Sequence, residues 1–138
     1  MRALGSAPAL DPRNPSTVKG EAMDMKQLAP NLFVGAQMTE RDLITLAKAG
    51  FTDVVCNRPD AEHPDGATSD KMARAAAKQG LTFHYLPIIP GEAYEAEAAQ
   101  LTSLVARPKA KVFAYCRSGM RAANAYSLGQ SMVTRPAA

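Results

Sequence analysis

A cysteine and an arginine, Cys116 and Arg121, stand close together in the chain with four residues between them. The apolar run 112–115 precedes the cysteine and predicts a buried strand, followed by a tight loop and the first turn of a helix. Backbone N–H groups at the start of a helix have no intrahelical partner, and together with the helix dipole they favour an anion. The same field favours a thiolate over a thiol. The pattern therefore predicts a cysteine nucleophile beside an anion-binding loop.

The residues between the two are predicted to line the bound anion: Arg117, Ser118, Gly119 and Met120. Gly119 would allow the backbone to curl with a positive φ. Arg121 would present a planar fork to a tetrahedral oxyanion or a sulfur oxyacid. The alternative is that the cysteine is a small core residue, which is the commoner role of a cysteine after an apolar strand. The polar residues that follow it would line a core poorly and favour the reactive thiol.

Strands alternate with helices along the chain, which predicts a single α/β domain with a mostly parallel central sheet flanked by helices. In such folds ligands bind beyond the carboxyl ends of the strands, where Cys116 would lie. The predicted strands are 32–35, 52–56, 81–86 and 111–115, and the predicted helices begin near 39, 70, 92 and 120.

The loop 57–66 also follows a predicted strand, and its length indicates a functional role. Arg58 could reach a bound anion, or could pair with Asp60 or Glu62 in a surface cluster. Asp60 could act as a general acid, or could be an ordinary turn residue after a proline. Cys56 could be a resolving thiol for the nucleophile, or simply a buried strand residue.

Composition limits the classes of partner. The 138 residues contain 16 Lys plus Arg against 13 Asp plus Glu, and this mild basic excess favours a small anionic substrate over a nucleic acid. No apolar run is long enough to span a membrane. Two cysteines and two distant histidines form no metal-type spacing and no disulfide framework, so we expect no metal, no cofactor and a cytoplasmic location.

Residues 1–22 are rich in proline and poor in large apolar side chains, and we expect a disordered N-terminal extension without a secretory signal. An alternative is that translation starts later, since Met23 and Met25 would also serve. The folded domain is expected to comprise residues 23–138.

Three stretches resemble the phosphatase-like domain family of beta-lactamase hydrolase-like proteins, which is similar to dual-specificity protein tyrosine phosphatases: 28–37, 49–60 and 115–121. The resemblance covers about residues 25–132. It implies a protein tyrosine phosphatase-like fold and a phosphatase-like hydrolase that acts on a small phosphorylated substrate or a phosphoprotein. It also implies that Cys116 is the nucleophile and Arg121 the oxyanion-binding arginine.

Three features depart from the pattern of such phosphatases. They usually have five residues between the cysteine and the arginine, and the gap of four resembles rhodaneses, which carry sulfur on the cysteine as a persulfide. The aspartic acid expected near 89–92 is absent, which leaves Glu92 or Asp60 as the general acid. The hydroxyl residue common after the arginine is Ala122, which leaves Ser118 as the nearby hydroxyl.

These departures leave three functional classes open. The first is the cysteine-dependent phosphatase-like hydrolase. The second is a rhodanese-like sulfurtransferase on the same cysteine, with sulfide detoxification as one role. The third is an inactive anion-binding module, which the intact Cys116 and Arg121 disfavour.

Overall fold

The computed structural model describes residues 10–11, 14–18 and 24–134, and its central feature is a five-stranded sheet. The strands are β3 (Lys26–Ala29), β4 (Leu32–Gly35), β5 (Asp53–Cys56), β6 (Thr82–Tyr85) and β7 (Val112–Tyr115), in the order β3-β4-β7-β5-β6. β3 pairs antiparallel with β4, and the other pairs are parallel. The predicted mostly parallel α/β sheet is confirmed.

Two short strands near the N-terminus, β1 (Leu10–Asp11) and β2 (Asn14–Val18), form a separate antiparallel pair. The other residues of the predicted extension lie outside the described part of the chain. The disorder of residues 1–22 as a whole therefore stays a prediction.

In the described part of the chain four α-helices accompany the sheet: α1 (Asp42–Lys48), α2 (Ser69–Lys78), α3 (Glu95–Ala106) and α4 (Met120–Thr134). α3 begins later than its predicted start near Glu92. The chain first makes a turn there, in which the Glu92 N–H donates to the Ile89 carbonyl and Gly91 adopts a φ of +87°. None of the helices in the described part of the chain is both long and apolar enough to cross a bilayer.

The strand before the predicted nucleophile, β7, lies at the centre of the sheet between β4 and β5. Its side chains alternate between the two faces, so that Val112 and Ala114 pack in one core cluster and Phe113 and Tyr115 in the other. A strand buried on both faces reads as an uninterrupted apolar run, which is why the sequence predicted it well. This burial fixes the point at which the chain emerges as Cys116.

α4, which begins at the end of the predicted anion loop, is held by close packing. Ala122 and Ala125 are buried in the core cluster that includes Val112. Gly129 instead approaches α3, where an added Cβ would lie 3.0 Å from the Ala98 carbonyl oxygen. The small residues of α4 thus serve contact with a neighbouring helix as well as with the sheet.

A buried carboxylate, Asp53, anchors the end of the sheet opposite the predicted site. It accepts hydrogen bonds from the Thr52 hydroxyl at 2.6 Å and from His84 Nε2 at 2.7 Å, and it pairs with Arg107 at 2.6 Å. Burial alone would raise the pKa of Asp53, but the hydrogen bonds from Thr52, His84 and Arg107 outweigh it and hold the pKa below its ordinary value of 3.8. The ionised carboxylate therefore contributes to stability.

This contribution predicts an acid-dependent stability. Because the folded pKa of Asp53 lies below the unfolded value, its contribution is present above pH 3.8 and is lost as the pH falls through the folded pKa. We expect the urea midpoint of Asp53→Asn to lie below that of the wild type at neutral pH and to change less between about pH 5 and pH 2. Asp70→Asn makes the same change on an exposed side chain, and its urea midpoint should depend on pH as the wild-type midpoint does. If the urea midpoints of the wild type and Asp53→Asn changed equally with pH, ionised Asp53 would not be the source of this stability.

Candidate active site

Cys116 directly follows β7, and its side chain is buried. The Gly119 N–H donates a hydrogen bond to the Cys116 sulfur at 3.0 Å. Gly119 adopts a φ of +95°, and a Cβ there would lie 3.2 Å from the backbone of Gly35. The loop therefore curls around the sulfur as predicted, and it can do so because position 119 is a glycine.

The rest of the loop presents backbone donors. The N–H groups of Arg117 and Ser118 have no acceptor within residues 24–134. The Ser118 hydroxyl accepts a hydrogen bond from the Met120 N–H at 3.3 Å. The hydroxyl is thus engaged within the loop, and the sulfur receives its hydrogen bond from Gly119. The free N–H groups beside the sulfur suit a bound oxyanion.

The Arg121 guanidinium is held from one side. Nη1 donates to Glu62 Oε2 at 2.9 Å and to the Ile88 carbonyl at 3.0 Å, and Nη2 donates to Glu62 Oε1 at 2.8 Å. These bonds use three of its five N–H donors. The Nε–H and one Nη2–H have no oxygen acceptor in the described chain, and together they form the edge that binds an oxyanion bidentately.

The electrostatics match this arrangement. Hydrogen bonding to Glu62 raises the pKa of Arg121, and the neighbouring Cys116 acts in the same direction. In turn the Arg121 guanidinium holds the pKa of Glu62 below its ordinary value of 4.5, with Arg58 adding to the effect against some burial. Glu62 is therefore ionised at neutral pH. Its contact with Arg121 was not predicted, because the sequence indicated only a local pairing with Arg58.

Asn57 ties the carboxyl ends of three strands together beneath this site. It is fully buried, its N–H donates to the Tyr115 carbonyl at 2.8 Å, and its Nδ2 donates to the Leu86 carbonyl at 2.8 Å. Its own carbonyl accepts from the Ile88 N–H at 2.9 Å. Asn57 thereby fixes Ile88, whose carbonyl holds Arg121. Its position at the end of a strand could have indicated this role.

Arg58, predicted as a possible anion ligand, is engaged elsewhere. Nη1 donates to Gln37 Oε1 at 3.0 Å and contacts His63 Nδ1 at 3.2 Å. Nη2 donates to the Glu62 carbonyl at 3.2 Å, and Nε lies 3.5 Å from the Glu62 carboxylate. The pairing with Glu62 is therefore present, and direct contact of Arg58 with a bound anion stays a prediction.

The predicted general acid Asp60 contacts the start of α2. Its carboxylate accepts from the Ser69 N–H and from the Ser69 hydroxyl, both at 2.7 Å. Asp60 thus supplies capping oxygens at the start of this helix. Glu92 is exposed in the turn that follows Ile88. A general-acid role for either carboxylate stays a prediction.

The second cysteine, Cys56, differs from Cys116 in its surroundings. It is buried at the end of β5, and its S–H donates to the Arg58 carbonyl at 3.3 Å. Burial raises the pKa of the Cys56 thiol. These contacts favour the buried strand residue over the resolving thiol. Within the described residues, no three His, Cys, Asp or Glu side chains form a group that could hold a metal ion.

Comparison with known proteins agrees with the geometry. The family described as beta-lactamase hydrolase-like protein, phosphatase-like domain, matches residues 24–133. A beta-lactamase hydrolase-like protein from Agrobacterium fabrum is 30% identical over 112 residues, which cover 80% of this chain and 26% of that protein. The chain thus spans about a quarter of the length of the curated relatives it matches.

Two solved structures share the fold. A candidate phosphatase from Neisseria meningitidis has a TM-score of 0.68 and 24% identity, covering 80% of this chain and 78% of that one. P. aeruginosa TpbA, in complex with phosphotyrosine, has a TM-score of 0.58 and 15% identity, covering 96% of this chain and 72% of that one. The resemblance and the phosphatase-like α/β fold predicted from the sequence are confirmed.

Proposed function

Because the chain belongs to the phosphatase-like domain family of beta-lactamase hydrolase-like proteins, we propose that it is a cysteine-dependent phosphatase-like hydrolase. Its substrate is a small phosphorylated molecule or a phosphoprotein. The observation that carries the proposal is the Arg121 guanidinium, which Glu62 and Ile88 hold from one side while it interacts with the Cys116 sulfur on the other. A phosphoryl group bound on that side would lie beside the sulfur.

The chemistry follows from these positions. The Cys116 thiolate attacks phosphorus, an S–P bond forms, and the bond from phosphorus to the leaving oxygen breaks. Arg121 and the loop N–H groups hold the three equatorial oxygens, where charge is spread in the transition state. Water then attacks the phosphocysteine, which releases phosphate and restores the thiolate.

Protonation of the leaving oxygen is the weak part of this site. Both Asp60 oxygens accept hydrogen bonds from Ser69, and Glu62 is ionised beside Arg121. General acid catalysis contributes roughly 10²–10⁴-fold where it operates. We therefore propose that aryl phosphates, whose leaving oxygens need little protonation, react much faster than alkyl phosphates.

A rhodanese-like sulfurtransferase is the second candidate. The four-residue spacing between Cys116 and Arg121 and the engaged Asp60 carboxylate favour it, because sulfur transfer needs no strong general acid. In that reaction the Cys116 thiolate takes the outer sulfur of thiosulfate, the S–S bond of thiosulfate breaks, and sulfite leaves. Cyanide then removes the sulfur as thiocyanate and restores the thiolate.

One experiment separates the two reactions. Purified protein is incubated with p-nitrophenyl phosphate and, separately, with thiosulfate, and each sample is assayed for product and for intact mass. Phosphate release that vanadate inhibits supports the hydrolase. A stable added sulfur on Cys116 that cyanide removes, without phosphate release, overturns the hydrolase in favour of the sulfurtransferase.

Glu62 gives a prediction for the proposed reaction. In Glu62→Gln the amide NH2 faces the guanidinium donors, so that one of the two hydrogen bonds is lost and Arg121 is less well oriented. Hydrogen bonds to charged groups contribute about 1.5–3 kcal/mol, so we expect kcat/KM for p-nitrophenyl phosphate to fall roughly 10- to 100-fold. Glu95→Gln, which makes the same change at an exposed position of α3, should have no effect.

A double-mutant cycle tests whether the loss of kcat/KM in Glu62→Gln arises through Arg121. In a double-mutant cycle with Arg121→Lys, the loss in kcat/KM of the double variant should be much smaller than the product of the two single losses. Fully multiplicative losses would show that Glu62 acts independently of Arg121.

A further inference from the structure

A cavity lies beside the candidate active site, between the starts of α1 and α2. Its volume is about 430 Å³. We call it the basic pocket, and the lining residues that define it here are Gln37, Glu40, Arg41, His63, Gly66 and Lys71.

One lining residue of the basic pocket is hydrogen-bonded to the anion loop. The Gln37 N–H donates to the Arg117 carbonyl at 3.4 Å, so a wall of the pocket is bonded to the loop itself. The Gln37 and His63 side chains both contact Arg58, at 3.0 and 3.2 Å. The pocket wall and the anion loop are therefore directly bonded through Gln37 and Arg117.

Two cations of the basic pocket are not used to stabilise the fold. Arg41 and Lys71 form no ion pair within residues 24–134, whereas Arg58 and Arg121 both do. They lie at the start of α1 and in the first turn of α2, where the helix dipole disfavours positive charge. Glu40 is the opposing carboxylate of the pocket, so one net positive charge remains.

The His63 ring is fixed by contacts on two sides. A guanidinium only donates, so the Nδ1 that contacts Arg58 must accept, and the ring proton lies on Nε2. The imidazole lies against Gly66, where any Cβ would overlap the ring. The ring is therefore held in place at the pocket wall.

We propose that the basic pocket binds a second anionic group of the substrate, a phosphate or a carboxylate, while the loop from Cys116 to Arg121 holds the phosphoryl group that is attacked. The inference rests on the proposed function and names its substrate class, a molecule with two anionic groups a short distance apart. Arg41 and Lys71 supply the charge, and His63 forms part of the pocket wall.

The test measures binding separately from turnover. Three phosphotyrosine peptides carry alanine, glutamate or phosphoserine on both sides of the phosphotyrosine, and calorimetry gives their dissociation constants with Cys116→Ser. Because exposed charge pairs each contribute little, we expect about five- to tenfold tighter binding of the phosphoserine peptide than of the alanine peptide at low salt. The glutamate peptide shows whether a carboxylate suffices.

The same series is then repeated with Arg41→Gln and Lys71→Gln added. The preference should fall to about twofold or less, whereas Lys48→Gln with Lys78→Gln, an equal charge change elsewhere on α1 and α2, should keep it. No preference in Cys116→Ser, or a preference that survives the pocket substitutions, overturns the pocket. Failure of the wild type to release phosphate from any peptide overturns the proposed function instead, and leaves the binding result to decide the pocket.

Discussion

Replacing Cys116 by serine is expected to reduce turnover of p-nitrophenyl phosphate on the order of 10⁴-fold or more, while the affinity for inorganic phosphate changes little. A serine hydroxyl in the same place is almost fully protonated at neutral pH and is a far weaker nucleophile than a thiolate. The anion contacts of Arg121 and the loop backbone remain, because the Gly119 N–H can donate to the serine oxygen as it does to the sulfur. Steady-state kinetics and calorimetry with phosphate measure the two effects.

Cys56→Ser is the matched control. That cysteine is also buried, as the last residue of a strand in the same sheet, but burial raises the pKa of its thiol and its S–H donates to the Arg58 carbonyl. We expect turnover of Cys56→Ser to stay within about threefold of the wild type. If Cys116→Ser kept its turnover, neither enzyme mechanism would hold. A wild type that binds phosphate and turns over neither p-nitrophenyl phosphate nor thiosulfate would instead be an anion-binding module.

The part of the site that is formed by residues close together in the chain could be predicted from the sequence. The apolar run 112–115, the cysteine and the helix start gave the central strand, the loop and the arginine. The helix start predicted near residue 39 is also a local feature: the Thr39 N–H donates to Asp42 Oδ2 at 2.9 Å and the Asp42 N–H donates to the Thr39 hydroxyl at 3.4 Å, and α1 begins at Asp42. These features depend on neighbours a few residues apart, where spacing determines the geometry.

The contacts that cross the sheet could not be read in this way. Glu62 and Arg121 are 59 positions apart, and they meet because β5 and β7 are adjacent in the sheet. The sequence offers an equally good local partner for Glu62, namely Arg58 at i−4, and the two arginines share the carboxylate. Strand β3 was missed for a different reason, because an exposed edge strand has no strong apolar alternation.

The second large effect is expected for Arg121→Lys, with kcat/KM for p-nitrophenyl phosphate falling about 10²–10³-fold. A lysine keeps the positive charge but offers a point-like ammonium in place of a planar fork. It cannot both satisfy the two Glu62 oxygens and present a bidentate edge to the phosphoryl oxygens, as the guanidinium does here. The loss should appear in kcat as well as in KM, since the oxyanion charge spreads as the bond to the leaving oxygen breaks.

Arg74→Lys is the matched control for this substitution, because Arg74 forms an exposed ion pair with Asp70 on α2, far along the chain from the loop. Its kinetics should equal those of the wild type. Circular dichroism and urea unfolding establish that Arg121→Lys is folded before its kinetics are compared. A folded Arg121→Lys with wild-type kcat/KM would mean that the open guanidinium edge binds no phosphoryl group, and the proposed function would fail at the observation on which it depends.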